Sequence, residues 1–416
     1  MRIIPSSDRQ ALDQLVSRDE SRRGTVERQA ARIVSDVRRR GDTALLDWTM
    51  KLDRKGGDGQ ALSIRALTKA ELKRGWAATA KPVREALALA AANLERVAAK
   101  QVPRAFTVNV GPGHRIEQRV EPLARVGCYV PGGRYPLPST LLMTAVPARV
   151  AGVKDIVVTC PAPAPVVMAA ALEAGVTEVY AIGGAQAIGA LAYGTETIRR
   201  VDKIVGPGSA WVAAAKALVS RDCPIDLHAG PSEIVVCSDR GKPEWIAADL
   251  IAQAEHDPAA RAVMVTTRMG LARAVATEVT RQMPTSGPAA ASIAGHGAIV
   301  VARNRRDAVG IVNRLAPEHL VIDAGDDVNG YVAAGTIFVG DFSVQAAGDY
   351  CTGSNHVLPT GGAARFRGGL SASDFVRVFT VQTLTSAAIR RIGPSAAALA
   401  DAEGLAAHAA SIRLRL

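Results

Sequence analysis

Residues Asp249 to Arg261 read DLIAQAEHDPAAR, and Gln253, Glu255, His256 and Asp257 close that Ala- and Ile-rich segment with more polar chemistry than solubility requires. Pro243 suits the first residue of a helix and Pro258 its end, so Gln253 and His256 fall three residues apart in the last turns, on one face. A carboxamide oxygen and an imidazole nitrogen so placed can be two ligands of one cation; an ordinary polar helix end has the same look. A second locus, GDFSVQAAGDYCTGSNHVLPTGG, holds Asp349 and His356 in a Gly-, Ser- and Asn-rich loop after a strand, where rigid scaffolds present functional groups. A plain turn-rich connection would share that composition. In APEHLVI, Glu318 and His319 read as a helix start leading into an apolar strand. Adjacent acid and imidazole groups can move two protons, because histidine titrates near neutrality and a partly buried carboxylate is tuned upward. A solvated first turn is the bland reading. His408 stands alone in DAEGLAAHAAS, five residues after Glu403, and by itself reads as a surface helix residue.

Elements must position these groups. From Asp8 to Ala99 apolar residues recur at three- and four-residue spacing, as in Val26, Ala30, Ile33 and Val37, which predicts helices. Short strands and turns begin near Pro103. The spacing then predicts strands at 126–130, 155–159, 178–182, 203–205 and 233–237, with helices at 141–151, 166–174, 186–192 and 210–219 between them. A second alternation has strands near 261–266, 297–301, 320–322 and 334–339, and the last forty or so residues read as helical. Strand and helix in alternation mean parallel, doubly wound α/β sheets. Three glycine turns, CYVPGGRYPLPST, AIGGAQAIGA and KIVGPGSAW, follow strands, where backbone N–H groups can approach a phosphate. None is a GxGxxG fingerprint, and glycine at such turns is common for steric reasons alone.

Composition narrows the classes. A chain of 416 residues predicts two or three domains, and 48% hydrophobic with 21% charged residues marks a globular protein. No apolar run reaches the roughly 18 to 20 residues of a membrane span, and no signal-peptide core follows Met1, so a cytoplasmic protein is expected. The cysteines, Cys128, Cys160, Cys223, Cys237 and Cys351, are odd in number and lack a CxxC pair, against a disulfide framework or a thiolate zinc site. A net charge of +11 raises nucleic acid as a partner. The basic residues are scattered and aromatics are only 4%, so no stacking platform is visible and no nucleic-acid partner is expected.

Taken together, GPSEI (230–234), QAEHD (253–257), APEHL (316–320), GDYCTGSNHVLPTGG (348–362) and the closing His408 resemble the histidinol dehydrogenase family, in order and separation. The resemblance runs from about residue 120 to the end. It implies one zinc ion per subunit held by Gln253, His256, Asp349 and His408, and an acid/base pair formed by Glu318 and His319. It implies that L-histidinol is oxidised through histidinaldehyde to L-histidine while two NAD molecules are reduced, the last steps of histidine biosynthesis. Ser232, His356 and Glu403 would join those residues around the substrate, and Tyr129, Gln186 and Ser209 would line the dinucleotide. It also implies a homodimer in which the C-terminal segment enters the partner's site, so that His408 and Glu403 come from the other subunit.

The implied architecture is two Rossmann-like parallel-sheet α/β domains with a helical N-terminal region and a small helical C-terminal segment. Its boundaries are a helical extension over 1–24, a catalytic domain of 25–123 plus 233–372, a dinucleotide domain of 124–232 and a segment of 373–416. Two departures stand out: Ser209 replaces the expected Asn of GPGN, and Arg134-Tyr135 stands where small residues are usual. Arg-Tyr resembles relatives that oxidise sulfonated diols, and a guanidinium suits an anion. The rival readings are therefore a zinc- and NAD-dependent dehydrogenase of a sulfopropanediol, an aldehyde oxidation through the thiolate of Cys351 or Cys128, and a non-catalytic nucleotide- or nucleic-acid-binding module.

Overall fold

Runs such as EIVVC and RAVMVT are apolar at consecutive positions, and a strand of that kind must be covered on both faces. The computed structural model describes residues 1–17, 23–52, 64–132, 135–228 and 230–416, and it contains two covered parallel sheets. The chain opens with strand β1 (Arg2–Pro5) and helix α1 (Arg9–Val16), then continues through α2 (Arg23–Arg40), α3 (Asp42–Leu52), α4 (Lys69–Ala78) and α5 (Lys81–Gln101). An antiparallel hairpin follows, β2 (Phe106–Gly111) with β3 (His114–Pro122).

The first alternation is β4 (Arg125–Tyr129), α6 (Pro138–Val150), β5 (Asp155–Thr159), α7 (Pro165–Ala174), β6 (Glu178–Tyr180), α8 (Gly184–Tyr193), β7 (Lys203–Val205) and α9 (Ala210–Val219). Its four strands pair in the order β6-β5-β4-β7. The second alternation starts with β8 (Glu233–Cys237), α10 (Pro243–Ala254), β9 (Arg261–Thr266), α11 (Met269–Gln282), α12 (Ala289–His296) and β10 (Ala298–Val301). It ends with α13 (Arg305–Leu315), β11 (His319–Ile322), β12 (Thr336–Val339) and the short α14 (Gln345–Gly348). These strands give the order β1-β10-β9-β8-β11-β12. In both sheets the first strand of the alternation lies inside, and the chain builds outward on one side before crossing to the other. Local chemistry sets the ends: α7 begins at Pro165 and stops where Gly175 turns left-handed at φ 70°.

The structure corrects several expectations. The 1–24 segment is not wholly helical, because β1 forms the edge of the six-stranded sheet and pairs in parallel with β10. Segment 373–416 is not wholly helical either. It begins with β13 (Val376–Leu384), which pairs antiparallel with β3, and continues into α15 (Ser386–Ala402) and α16 (Ala406–Arg413). β1 is only four residues long and β13 is largely exposed, so neither needs the long apolar run that marks the buried strands. The helices between residues 23 and 101 also pack differently from the expected grouping. Ala30, Val34, Val37 and Leu45 share a core with Ile188 and Leu191 of α8, while Leu72, Leu87 and Leu94 share one with α6 and α7. Those helices therefore cover the four-stranded sheet, and the six-stranded sheet is covered by its own helices with α1.

At the start of β4, Arg125 is 6% exposed and donates to Glu178 at 2.8 and 3.0 Å and to Asp155. Replacing Arg125 by Met leaves two carboxylates facing each other with only the exposed Arg199 as a counter-charge. Urea unfolding is expected to show a loss of roughly 3–5 kcal/mol.

Candidate active site

Strands β8 and β11 are neighbours, with His319 opposite Ile234, so the residues that start them meet. The backbone of one residue does the joining. The Glu233 N–H donates to Glu318 Oε2 at 2.9 Å, and the Glu233 carbonyl accepts from His319 Nδ1 at 3.2 Å. A carbonyl can only accept, so Nδ1 carries the proton and Nε2 is the bare nitrogen. Glu318 and His319 are 6% and 4% exposed. They do not begin a helix, contrary to expectation: α13 ends at Leu315, Ala316 turns left-handed at φ 46°, and Pro317 lacks the N–H to continue it. Burial pushes the Glu318 acid well above the ordinary carboxylate range. Burial also pulls the His319 imidazole down to about 4, against the opposing pull of Asp349. Burial thus favours the uncharged form of both the imidazole and the acid.

The bare Nε2 of His319 lies 3.8 Å from Asp349 Oδ1. His256 Nε2 lies 3.7 Å from Oδ2 of the same carboxylate, and His356 Nδ1 lies 3.9 Å from Oδ1. Three imidazoles thus face one carboxylate. Burial pushes Asp349 up, but the three histidines outweigh it and the net shift is downward. His356 is held at both nitrogens, with Nδ1 donating to the Asp349 carbonyl at 2.8 Å and Nε2 3.3 Å from Thr140 Oγ1. Its neighbour Asn355 donates to the Met143 carbonyl at 2.6 Å, so α6 anchors this loop from the other sheet's layer.

Helix α10 packs on α14 and brings Gln253 into the same region. Gln253 is 1% exposed, and neither its Oε1 nor its Nε2 has a hydrogen-bond partner. A buried carboxamide left so is costly unless something else satisfies it, and a cation beside Asp349 and His256 would take the oxygen. Oxygen and nitrogen donors of this kind suit zinc with positions left for substrate. The helix is shorter than expected: it ends at Ala254, Glu255 caps it, and His256 lies just beyond with 47% of its side chain exposed. Among the described residues, His, Cys, Asp and Glu form no group of three that could hold a metal. His408 and Glu403 are exposed, and α16 packs on α15, so one chain does not unite them with the group around Asp349. Ser232 is half-buried, one residue before Glu233.

The other expected residues gather at the ends of the four-stranded sheet's strands. Tyr129 closes β4, and its hydroxyl accepts from the Gly184 N–H at 3.1 Å, at the head of α8. Gln186 is fully buried in the first turn of α8, and Ser209 is the N-cap of α9, which starts after β7. The chain reverses its building direction between β4 and β7, and a switch point of that kind is where α/β sheets take dinucleotides. Arg134 lies outside the described residues; Tyr135 is 59% exposed. Burial lifts the Cys128 thiol to about 12, which removes it as a thiolate nucleophile. Sequence reading missed the Glu233 peptide, because a backbone contact leaves no mark on residue type. It missed Thr140 because a hydroxyl on an apolar helix gives no sign of what it faces.

Fold and site define an α/β oxidoreductase of the class that passes hydride to NAD. The histidinol dehydrogenase family model matches residues 16–416. A histidinol dehydrogenase of Brucella suis biovar 1 is 45% identical over 403 residues, 94% of this chain and 93% of its own. That of Geobacillus kaustophilus is 46% identical over 397 residues, 92% of each chain. The crystal structure of histidinol dehydrogenase from Elizabethkingia anophelis superposes with a TM-score of 0.93 at 31% identity, covering 100% of this chain and 98% of that one. The chain belongs to the histidinol dehydrogenase family, and it is an NAD-dependent oxidoreductase. No helix among the described residues is long and apolar enough to cross a membrane.

The buried acid also sets a stability signature. A folded-state pKa raised above the unfolded value means that, above about pH 4.5, folding takes up a proton, so stability falls as pH rises. Glu318→Gln removes that loss. Without added metal or cofactor, its melting temperature is expected to exceed the wild type's by a margin that widens from pH 4.5 upward. A constant or negative margin would mean that Glu318 is ionised in the fold.

Proposed function

We propose that this enzyme oxidises L-histidinol to L-histidine in two hydride transfers, using His319 and Glu318 in turn. The observation that carries the reading is the shared Glu233 backbone, which leaves the bare His319 nitrogen facing Asp349 with a buried acid beside it. Gln253, His256 and Asp349, with His408 of a second subunit, would hold zinc. Bound zinc would grip the substrate's imidazole and amino nitrogens, and bound NAD supplies the hydride acceptor in each step. In the first step the bare Nε2 of His319 takes the hydroxyl proton as hydride leaves the same carbon, which produces the aldehyde. In the second, Glu318 as carboxylate takes a proton from water as its oxygen adds to the aldehyde carbon. The gem-diolate so formed then loses hydride and becomes the acid. Ser232, His356 and Glu403 would border the substrate, and burial of the pair keeps the aldehyde from bulk water. Tyr129, Gln186 and Ser209 would line the dinucleotide at the switch point.

A homodimer completes this reading. His408 and Glu403 are exposed, as donors offered to another subunit would be. Phe106, Val108 and Val110 alternate along β2 and are 51%, 46% and 57% exposed, and Val378 on β13 is 48% exposed. An apolar sheet face of that size asks for cover, and a second copy supplies it symmetrically. A sulfopropanediol as substrate rests on Arg134-Tyr135, and relatives named for histidinol at 45% identity favour the amino alcohol.

The division of labour is testable with histidinol and histidinaldehyde as separate substrates. His319→Ala is expected to slow the alcohol step about 10²–10⁴-fold, and Glu318→Gln to slow the aldehyde step by a similar factor. Aldehyde oxidation should gain rate as pH rises, because Glu318 acts only after losing a proton that burial holds; Glu318→Gln should lose that limb. Chelation should abolish both steps, and Gln253→Ala should lower bound zinc measured by elemental analysis. Equal, mild effects on both steps would refute the assignment.

Subunit exchange has its own readout. Refolding His319→Ala with His408→Ala in equal amounts gives half heterodimers, each with one intact site if the tails cross. The mixture should reach about a quarter of wild-type activity, whereas tails acting within their own chain would leave none.

A further inference from the structure

Behind the turn that ends β7, one charged pair is shut away from water: Lys216 is 2% and Asp226 3% exposed. Lys216 Nζ meets the Asp226 carboxylate and donates to the Gly206 carbonyl at 2.7 Å. Asp226 in turn accepts from the Gly206 N–H at 2.6 Å and from the Leu227 N–H at 2.6 Å. Both polar groups of the Gly206 residue are therefore held by this one pair. Gly206 itself is left-handed at φ 112°, and a Cβ there would lie 2.1 Å from the Tyr129 carbonyl oxygen. Only glycine fits, and it is clamped against the end of β4.

A buried ion pair is a poor stabiliser, since apolar residues of similar volume do as well or better. Its two charges are spent on each other and on backbone, so neither reaches a ligand. What they fix is the path of Gly206-Pro207-Gly208-Ser209, the turn from β7 into α9. We propose that Lys216 and Asp226 are positioning residues for the cofactor: they hold this turn in the shape that receives the dinucleotide. The proposal rests on the cofactor site assigned above.

The test uses the full-length enzyme with Lys216→Met, Asp226→Leu and the double variant, read by NADH fluorescence titration, KM for NAD, kcat and melting temperature. Each single variant strands one buried charge and should lose both stability and cofactor affinity. The double variant removes both charges and should recover the melting temperature while NADH affinity stays down about tenfold, with KM for NAD raised and kcat nearly unchanged. Recovery of both stability and affinity would make the pair a structural element only and overturn the proposal. Where the double variant does not fold, Asp226→Asn gives the decision: NADH affinity must fall more than histidinol affinity, and equal losses overturn it. Gln186→Ala and Ser209→Trp run alongside. If they leave NADH affinity unchanged, the cofactor assignment fails and takes the proposal with it; if they weaken NADH while the pair variants do not, the proposal alone fails.

Discussion

The contact on which the rest of the structure depends is the register between β8 and β11. It places the Glu233 peptide between the two side chains that begin β11, with its N–H on one and its carbonyl on the other. A shift by one residue would turn each of these side chains to the other face and away from the Glu233 backbone. The register is fixed by apolar residues buried on both sides, Ile234 and Val236 in one core and Val235 and Leu320 in the other. Packing of chemically inert side chains thus sets the tautomer of a reactive imidazole.

The parallel sheets were legible because consecutive apolar residues between glycine and proline leave few alternatives. β5, β7, β8, β9 and α9 fall within the residues that the spacing indicates. β1 and β13 were not legible, since Arg2–Pro5 is a sheet edge and β13 is largely exposed, so neither needs an apolar pattern. At the site, residue type pointed to Gln253, His256, Asp349, His356, Glu318 and His319. The structure groups Asp349 with the three histidines and brings Gln253's helix beside it. What residue type could not give was environment. APEHL reads equally as a solvated helix start or a buried strand start, and the choice between them decides whether Glu318 is an ordinary carboxylate or a buried acid.

Several polar groups around the acid/base pair are held by backbone. Asn355 is tied to the Met143 carbonyl, His356 to the Asp349 carbonyl, and Glu318 to the Glu233 N–H. Gln253, in contrast to these three, has a buried carboxamide with no hydrogen-bond partner at either atom. On the proposed reading a cation would take this carboxamide oxygen as a ligand, and the helix that carries it would hold it in place beforehand.

Connectivity explains why the two halves of the site face each other. Tyr129 and Ser209 stand at the C-terminal ends of β4 and β7, whereas Glu233, Glu318 and His319 stand at the N-terminal starts of β8 and β11. Ile225 forms a parallel bridge with Ile204, so the chain leaves the four-stranded sheet at the C-terminal edge, beside Gly206. From Asp226 only the short DLHAGPS stretch precedes Glu233 and the first strand of the large sheet. So short a link can only bring the starting edge of one sheet to the finishing edge of the other. On the proposed reading, topology would bring the acid/base pair toward the hydride acceptor before any side chain chooses a ligand.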